Sequence, residues 1–436
     1  MPDQGSVALF SEPTVARRMR LKTQHNQQAP ISRLPEETLY KVFLCIANAR
    51  LDHGQRVYDH WWKQWRNGTQ ICTQWRFVGL GSPRLWSIII ATKERKEVEF
   101  YLRHSKNCPL TVEIAPFSAE EKSIVSSILQ HLPRIQDLSF WRCDDHLDVL
   151  LPLLAAGCPL LERVDLVSHN HVSLGPLITF GQQTPALKQL QLHFIYPSWE
   201  TAQIRGLTDL TIGFSAGSYR PTLECFFELL RECPDLEHLT LELDQRLVRS
   251  SPASGPSVPL RRLCWVHFFA PSIACAEFLD GLILSNKITM DMRSTLRLSE
   301  GPIRIFPRHF LPSASISDNI ALHLHLHGCA EPHFYDITIK FISASSGTNI
   351  THLYEGIYLR GKTSMDAFMK VGLTLTDIHL MECISSLKIK CSSGLKGAVE
   401  SETWRRFLIR MPQLKNLETS AHIFSSYFGT RDQWNP

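Results

Sequence analysis

At 436 residues the chain is too long for one ordinary domain, unless it is built of stacked repeats. Its hydrophobic content of 44% allows a sizeable core, and 46 basic against 42 acidic residues leave a net charge of +4. That balance argues against a nucleic-acid partner and against an anionic membrane surface. The longest apolar run, 147–161, contains Asp148, Pro152, Gly157 and Pro159, so it is too short and broken to span a bilayer. Twelve scattered cysteines form no Cys-x-x-Cys pair, which points to reduced thiols and a cytoplasmic or nuclear address rather than a disulfide framework.

In chain order, residues 1–30 have little apolar content and no period, and read as a disordered tail. Arg17, Arg18, Arg20 and Lys22 form a basic cluster there, read as solvated rather than as an import signal. Leu34-Pro35-Glu36-Glu37 then opens a helix. Pro35 suits a first helical position, and the two glutamates oppose the positive end of the dipole. Leu39, Val42, Phe43 and Ile46 follow at i, i+3, i+4 and i+7, which makes one apolar face. Cys72-Thr73-Gln74-Trp75-Arg76 opens a second helix with Ile71, Trp75 and Val78 on one side. Ser82-Pro83 breaks it, and Leu85-Trp86 follow. The stretch Ile31–Ile90 is too short to cover so many large apolar residues by itself. It either docks on the rest of the chain or offers an apolar surface to a partner helix.

These pieces, Leu34-Pro35-x-Glu37, Cys72-x-x-Trp75-Arg76 and Ser82-Pro83-x-Leu85-Trp86 in that order, resemble the F-box of the large fungal F-box families. The resemblance covers Ile31–Ile90 and continues weakly through Val98–Ile114. It implies a helical module that binds the Skp-type adaptor of a cullin–RING ubiquitin ligase, an SCF complex. The residues it assigns to adaptor binding are Leu34, Pro35, Val42, Phe43, Cys72, Trp75, Leu85 and Trp86. Some of these must be core rather than contact, and the sequence does not separate the two. One departure is the long link Arg50–Gly68 with Trp61, Trp62 and Trp65. These three read as helix packing rather than base stacking, because the balanced charge offers no phosphate-binding stripe.

Beyond this stretch, Lys93–Asn107 reads as a helix with Val98, Tyr101 and Leu102 inward, and Leu110, Val112 and Ile114 alternate as a strand. Ser118-x-x-Glu121 is a capping box ahead of Ile124, Val125, Ile128 and Leu129. Then a pattern recurs: Pro133-x-Ile135-x-x-Leu138-x-Phe140, Pro159-x-Leu161-x-x-Val164-x-Leu166, Pro185-x-Leu187-x-x-Leu190-x-Leu192 and Pro234-x-Leu236-x-x-Leu239-x-Leu241. Leu207-x-x-Leu210-x-Ile212 lacks the proline, and Leu260-x-x-Leu263-x-Trp265 and Leu414-x-x-Leu417 are looser copies. Helical patterns precede several of them, such as Val149–Ala156 and Leu223–Glu232. One strand and one helix in a period of this size resembles the degenerate leucine-rich repeats that follow F-boxes.

The fold class expected is therefore α/β: an F-box over 31–92, then a leucine-rich-repeat-like solenoid with a parallel sheet over 93–436. The repeats should be clearest over 132–270. Beyond Ala270, irregular units are expected around the strands Ala321–His327, Ile337–Ile342 and Leu387–Ile389 and the helix Trp404–Arg410. Strand side chains alternate faces, so the spaced apolar residues point to the core and their neighbours to the other side. That places Trp141, Arg163, Asp165, Gln189, Gln191, His193, Asp209, His238, Glu242 and Arg262 on a candidate substrate-binding face. Their mixed charges and amides suit a protein partner.

Three further features could carry chemistry. Gly213-Phe214-Ser215-Ala216-Gly217 matches a nucleophile elbow and would make Ser215 the nucleophile of a hydrolase, but Pro221 delays the helix that should follow at once. His323, His325 and His327 alternate on one strand, with Cys329 and His333 nearby, yet no paired cysteines complete a zinc set. Gly79-Leu80-Gly81 is too short for a phosphate loop. The reading is a non-catalytic adaptor with no cofactor and no metal, binding the Skp-type adaptor and an unidentified protein substrate. The alternative is a repeat scaffold whose F-box acts outside ubiquitination.

Overall fold

The computed structural model describes residues 14–48, 64–91, 94–114, 122–173, 184–196, 204–213, 223–242, 257–270, 272–284, 288–295, 320–328, 334–343, 349–358, 381–391 and 401–419. The chain forms two compact units, Met1–Ser139 and Phe140–Pro436.

The first unit runs α1 (Thr14–Gln28), a 3-10 turn at Pro30–Arg33, α2 (Glu36–Asn48), α3 (Gln64–Gly68), α4 (Thr73–Gly81), a second 3-10 turn at Pro83–Trp86, β1 (Ile88–Ile90), α5 (Arg95–His104), β2 (Leu110–Ile114), α6 (Lys122–Leu129) and the first five residues of β3 (Ile135–Trp141), whose Phe140 and Trp141 count with the second unit. Helix α1 occupies Thr14–Gln28, within the stretch that reads in sequence as a disordered tail, and residues 1–13 lie outside the described residues. Its residues are good helix formers, so propensity rather than apolar burial sets it. Its C-terminal turn is tied down where Asn26 Nδ2 donates to the Ile71 carbonyl at 3.5 Å.

Trp86 is the centre of this unit's core. It is 1% exposed and stands edge-on to Trp65, Phe100 and Tyr101 at 4.8, 5.0 and 5.1 Å. Its indole Nε1 donates to the Gly79 carbonyl at 2.9 Å, which satisfies the one polar atom of the ring. Trp65 thus packs as expected, while Trp61 and Trp62 lie outside the described residues. Leu39, Phe43 and Ala47 of α2 are buried at i, i+4 and i+8. Phe43 leaves no room at Gly68, where an added Cβ would stand 2.6 Å from its Cε1. Gly68→Ala should therefore destabilise this unit by about 1–3 kcal/mol, the usual cost of overpacking. Denaturant titration followed by tryptophan fluorescence would show it, and an unchanged midpoint would contradict this packing.

Residues 94–139 fall within this compact unit, which closes after Ser139. The cause is visible in β1, which pairs in parallel with β2 (Ile88 beside Thr111), and in Arg134. The Arg134 guanidinium donates to the carbonyls of Leu102, Lys106 and Cys108 and to Ser105 Oγ. It thereby satisfies carbonyls that the end of α5 and its exit leave open.

The second unit contains α7 (Leu147–Ala156), β4 (Arg163–Ser173), β5 (Gln189–Tyr196), β6 (Asp209–Gly213), α8 (Leu223–Arg231), β7 (His238–Glu242), β8 (Val258–Leu260), β9 (Trp265–Phe269), α9 (Ser272–Asp280), β10 (Leu282–Leu284), β11 (Thr289–Thr295), β12 (Ile320–Gly328), β13 (Phe334–Ser343), β14 (Asn349–Tyr358), β15 (Ile384–Cys391), α10 (Ser401–Leu408) and β16 (Asn416–Thr419). Its main sheet has the order β4-β5-β6-β7-β9-β11-β14-β13-β12-β15-β16. From β4 to β11, and on to β14, every pairing is parallel. The unit is thus α/β with a large parallel sheet, as expected. Two features depart from a plain parallel run. Strands β14, β13 and β12 pair antiparallel, and β8 leaves the main sheet to pair with β10.

The register explains the apolar pattern. Val164, Leu190, Leu210, Leu239, Val266 and Met290 stand side by side across six strands, and Leu166, Leu192, Ile212, Leu241, Phe268 and Met292 form the next row. All twelve are buried, as are Leu138 and Phe140 of β3. Phe278 of α9 closes over this side by stacking on Phe268 at 4.3 Å.

The copy on β9 is framed three residues later than the sequence suggested. Leu263, Val266 and Phe268 are the buried positions, and Trp265 points the other way. Leu260 instead matches the residue that opens each turn. Backbone bonds from Leu161 to Cys158, Leu187 to Thr184, Leu236 to Cys233, Leu263 to Leu260 and Leu414 to Met411 repeat that turn, and all five acceptor residues are buried. A further copy, Ile384-x-x-Leu387-x-Ile389, is buried in β15, with Leu387 beside Leu417 of β16. Among the described residues no helix is long and apolar enough to cross a membrane.

Candidate functional site

In the first unit, the eight residues assigned to adaptor binding divide into two classes. Phe43, Trp75, Leu85 and Trp86 are buried, so they hold the module together and cannot be contacts. Pro35 and Val42 are exposed, and Leu34 and Cys72 are half-buried. The apolar arc of α2 is wider than the stripe it buries. Leu39, Phe43 and Ala47 face in, while Val42 and Ile46 form a second stripe at i and i+4 that faces water. Helix α4, which packs on α2, behaves the same way. Trp75, Val78 and Gly79 face in, and Phe77 and Leu80 face out. Ile71, expected on the inner stripe, is 57% exposed, and Phe77 is 68% exposed. Ile31 is exposed as well. These exposed apolar residues make α2, α4 and the turns before them the candidate contact surface. Ile46, Phe77 and Leu80 are exposed apolar residues outside the set that the resemblance assigns. The legible sign was that Phe77 and Leu80 lie off the Ile71–Trp75–Val78 stripe.

In the second unit, the face opposite the buried rows is built by the same register. Arg163, Gln189, Asp209, His238 and Trp265 form one cross-strand row. Asp165, Gln191, Thr211, Thr240, His267 and Asp291 form the next. The third runs Val167, His193, Gly213, Glu242, Phe269 and Arg293. The structure thus brings together on one face Arg163, Asp165, Gln189, Gln191, His193, Asp209, His238 and Glu242, none of them buried. Trp141 is half-buried at the end of β3.

Arg262 is the exception. It stands in the turn before β9, where its guanidinium is bound by Asp235 at 3.3 Å and Glu237 at 2.9 Å. The three-residue frame error put it in place of Trp265. The same error hid Trp265, His267 and Phe269, which carry the aromatic surface of this face.

Several charged and polar groups on the face stand in close pairs. Asp209 Oδ1 accepts from His238 Nδ1 at 2.9 Å, and its Oδ2 accepts from Thr208 Oγ1 at 2.6 Å and from Gln189 Nε2 at 3.3 Å. His267, only 8% exposed, lies between Asp291 (Nδ1 to Oδ2, 3.0 Å) and Glu242 (Nε2 to Oε1, 3.8 Å), with its ring parallel to Trp265. Arg293 Nε stands 3.7 Å from Asp291 Oδ2. His193 leans over Gly213, where a Cβ would come within 2.8 Å of its Nδ1. A surface of fixed donors, acceptors and aromatic rings with both charge signs suits a folded protein or a peptide, not a polyanion.

The other candidates fall mostly outside the described residues. His323, His325 and His327 lie on β12, while Cys329 and His333 are outside the described residues. Among the described residues no group of three or more His, Cys, Asp or Glu could hold a metal ion. Strand β6 ends at Gly213 and α8 begins at Leu223; Ser215 lies between them, outside the described residues, as does the capping box at Ser118 and Glu121. No family model matches the chain, and no curated protein matches it.

Proposed function

We propose that this chain is the substrate receptor of a cullin–RING ubiquitin ligase. In this reading its N-terminal unit is an F-box that binds a Skp-type adaptor, and its sheet is a leucine-rich-repeat-like array that holds a protein substrate. The observation that carries it is the exposure of Val42, Ile46, Ile71, Phe77 and Leu80 on a unit whose own core is already filled by Phe43, Trp65, Trp75 and Trp86. Large apolar residues left exposed beside a closed core suit a protein partner. The motifs in the same stretch, which resemble an F-box, support a Skp-type adaptor as that partner. The mechanism needs no catalytic residue and no cofactor. A receptor that fixes its substrate near a charged ubiquitin-conjugating enzyme raises the effective concentration of the acceptor lysines.

The test is co-purification of Val42→Asp with Phe77→Asp against the parent chain. Apolar anchors of this kind are worth about 2 kcal/mol or more each, roughly 30-fold in Kd, so adaptor capture should be lost. Both side chains are exposed, so the thermal midpoint should not move. Retained adaptor binding would sink the proposal. Adaptor without cullin in the parent complex would favour the scaffold reading instead.

A further inference from the structure

Cys264 immediately precedes β9 and is exposed. Its Sγ lies 3.9 Å from His238 Nε2 on the neighbouring strand and 3.3 Å from the Glu237 carbonyl oxygen. The other nitrogen of that imidazole, Nδ1, is 2.9 Å from Asp209 Oδ1 on the next strand over. An ionised carboxylate can only accept, so the Nδ1 proton is held toward Asp209 and Nε2 keeps its lone pair for the thiol. Three adjacent strands thereby align a nucleophile, a base and a group that orients the base. The Glu237 carbonyl can hold the thiol proton at rest, but only the imidazole can take it.

We propose that Cys264, His238 and Asp209 form an activated-thiol site that takes small-molecule disulfides. His238 Nε2 accepts the thiol proton, and the thiolate attacks one sulfur of the reagent. The new bond joins Cys264 to that half, and the reagent's own S–S bond breaks. The other half leaves as a thiolate and takes up the proton from His238. The disulfide is the oxidant, and no further redox partner is needed. The chain carries its own control in Cys45 of α2, which is also exposed but has no comparable histidine contact among the described residues.

The experiment treats the full-length folded protein with glutathione disulfide at neutral pH. It follows the adducts on the peptides containing Cys264 and Cys45 by mass spectrometry. Cys264 should react several-fold faster than Cys45. His238→Gln keeps a polar side chain but removes the base, and should bring Cys264 down to the rate of Cys45 at an unchanged thermal midpoint. Asp209→Asn should lower the advantage without removing it. In guanidinium the two cysteines should react alike, which ties the difference to the fold. Equal rates in the folded parent, or an advantage that survives His238→Gln, would overturn the proposal.

Discussion

Trp86→Ala is expected to unfold the N-terminal unit. Removing a fully buried tryptophan costs about 3–5 kcal/mol, a large fraction of the stability of a small unit. Three edge-on ring contacts go at once, and the Gly79 carbonyl loses its donor. Amide hydrogen exchange in α2 and α4 should rise toward the unfolded rate. If their protection is unchanged, Trp86 is not the centre of this core. The outcome also governs how binding data are read. Loss of adaptor capture in Trp86→Ala would report unfolding, whereas the same loss in Val42→Asp with Phe77→Asp would report contact.

The second large effect separates two neighbouring residues. Phe268→Ala should destabilise the sheet unit by about 3–5 kcal/mol, because its ring is buried and stacked on Phe278. Phe269→Ala, one residue on and half-buried on the opposite face, should cost no more than about 1 kcal/mol. Thermal denaturation of the two variants measures the difference directly. Equal costs would mean that the frame of β9 is wrong, and with it the face that carries Trp265 and His267.

That frame shows where the sequence was legible and where it was not. The period of 26 residues between Leu138, Val164 and Leu190 was enough to foresee parallel strands with their spaced leucines inward. On β9 the same rule was applied from the wrong origin. The turn before Leu263 carries Arg261 and Arg262 where other copies carry a proline, and Leu260 looked like a strand position. What identifies it is the buried residue that opens each turn: Cys158, Thr184, Ile204, Cys233 and Leu260. These differ in polarity and size, so no single residue type announced them.

Two other limits have physical causes. Val42 and Phe43 are adjacent apolar residues on one helix, and periodicity alone cannot say which of them the neighbouring helices cover. Strand direction is equally silent, since side chains alternate with the same period in parallel and antiparallel pairs. Hence β12 and β13 are legible as strands but their antiparallel pairing is not, and β14 is not marked in the sequence as a strand.

The reversal also dictates an order of assembly. From β4 to β11 each strand of the main sheet docks on one already present, with Val164 beside Leu190 and Val266 beside Met290, so growth can proceed step by step. At β11 that stops. Thr289 pairs with Asn349, sixty residues further along, so the open edge of β11 must wait for β14. Strand β13 is held by β14, β12 by β13, and β15 by β12. The strands from β12 to β16 therefore close as one cooperative block. Until they do, a nascent or truncated chain ending near residue 295 presents an unpaired parallel edge, the kind of edge on which other chains nucleate aggregates.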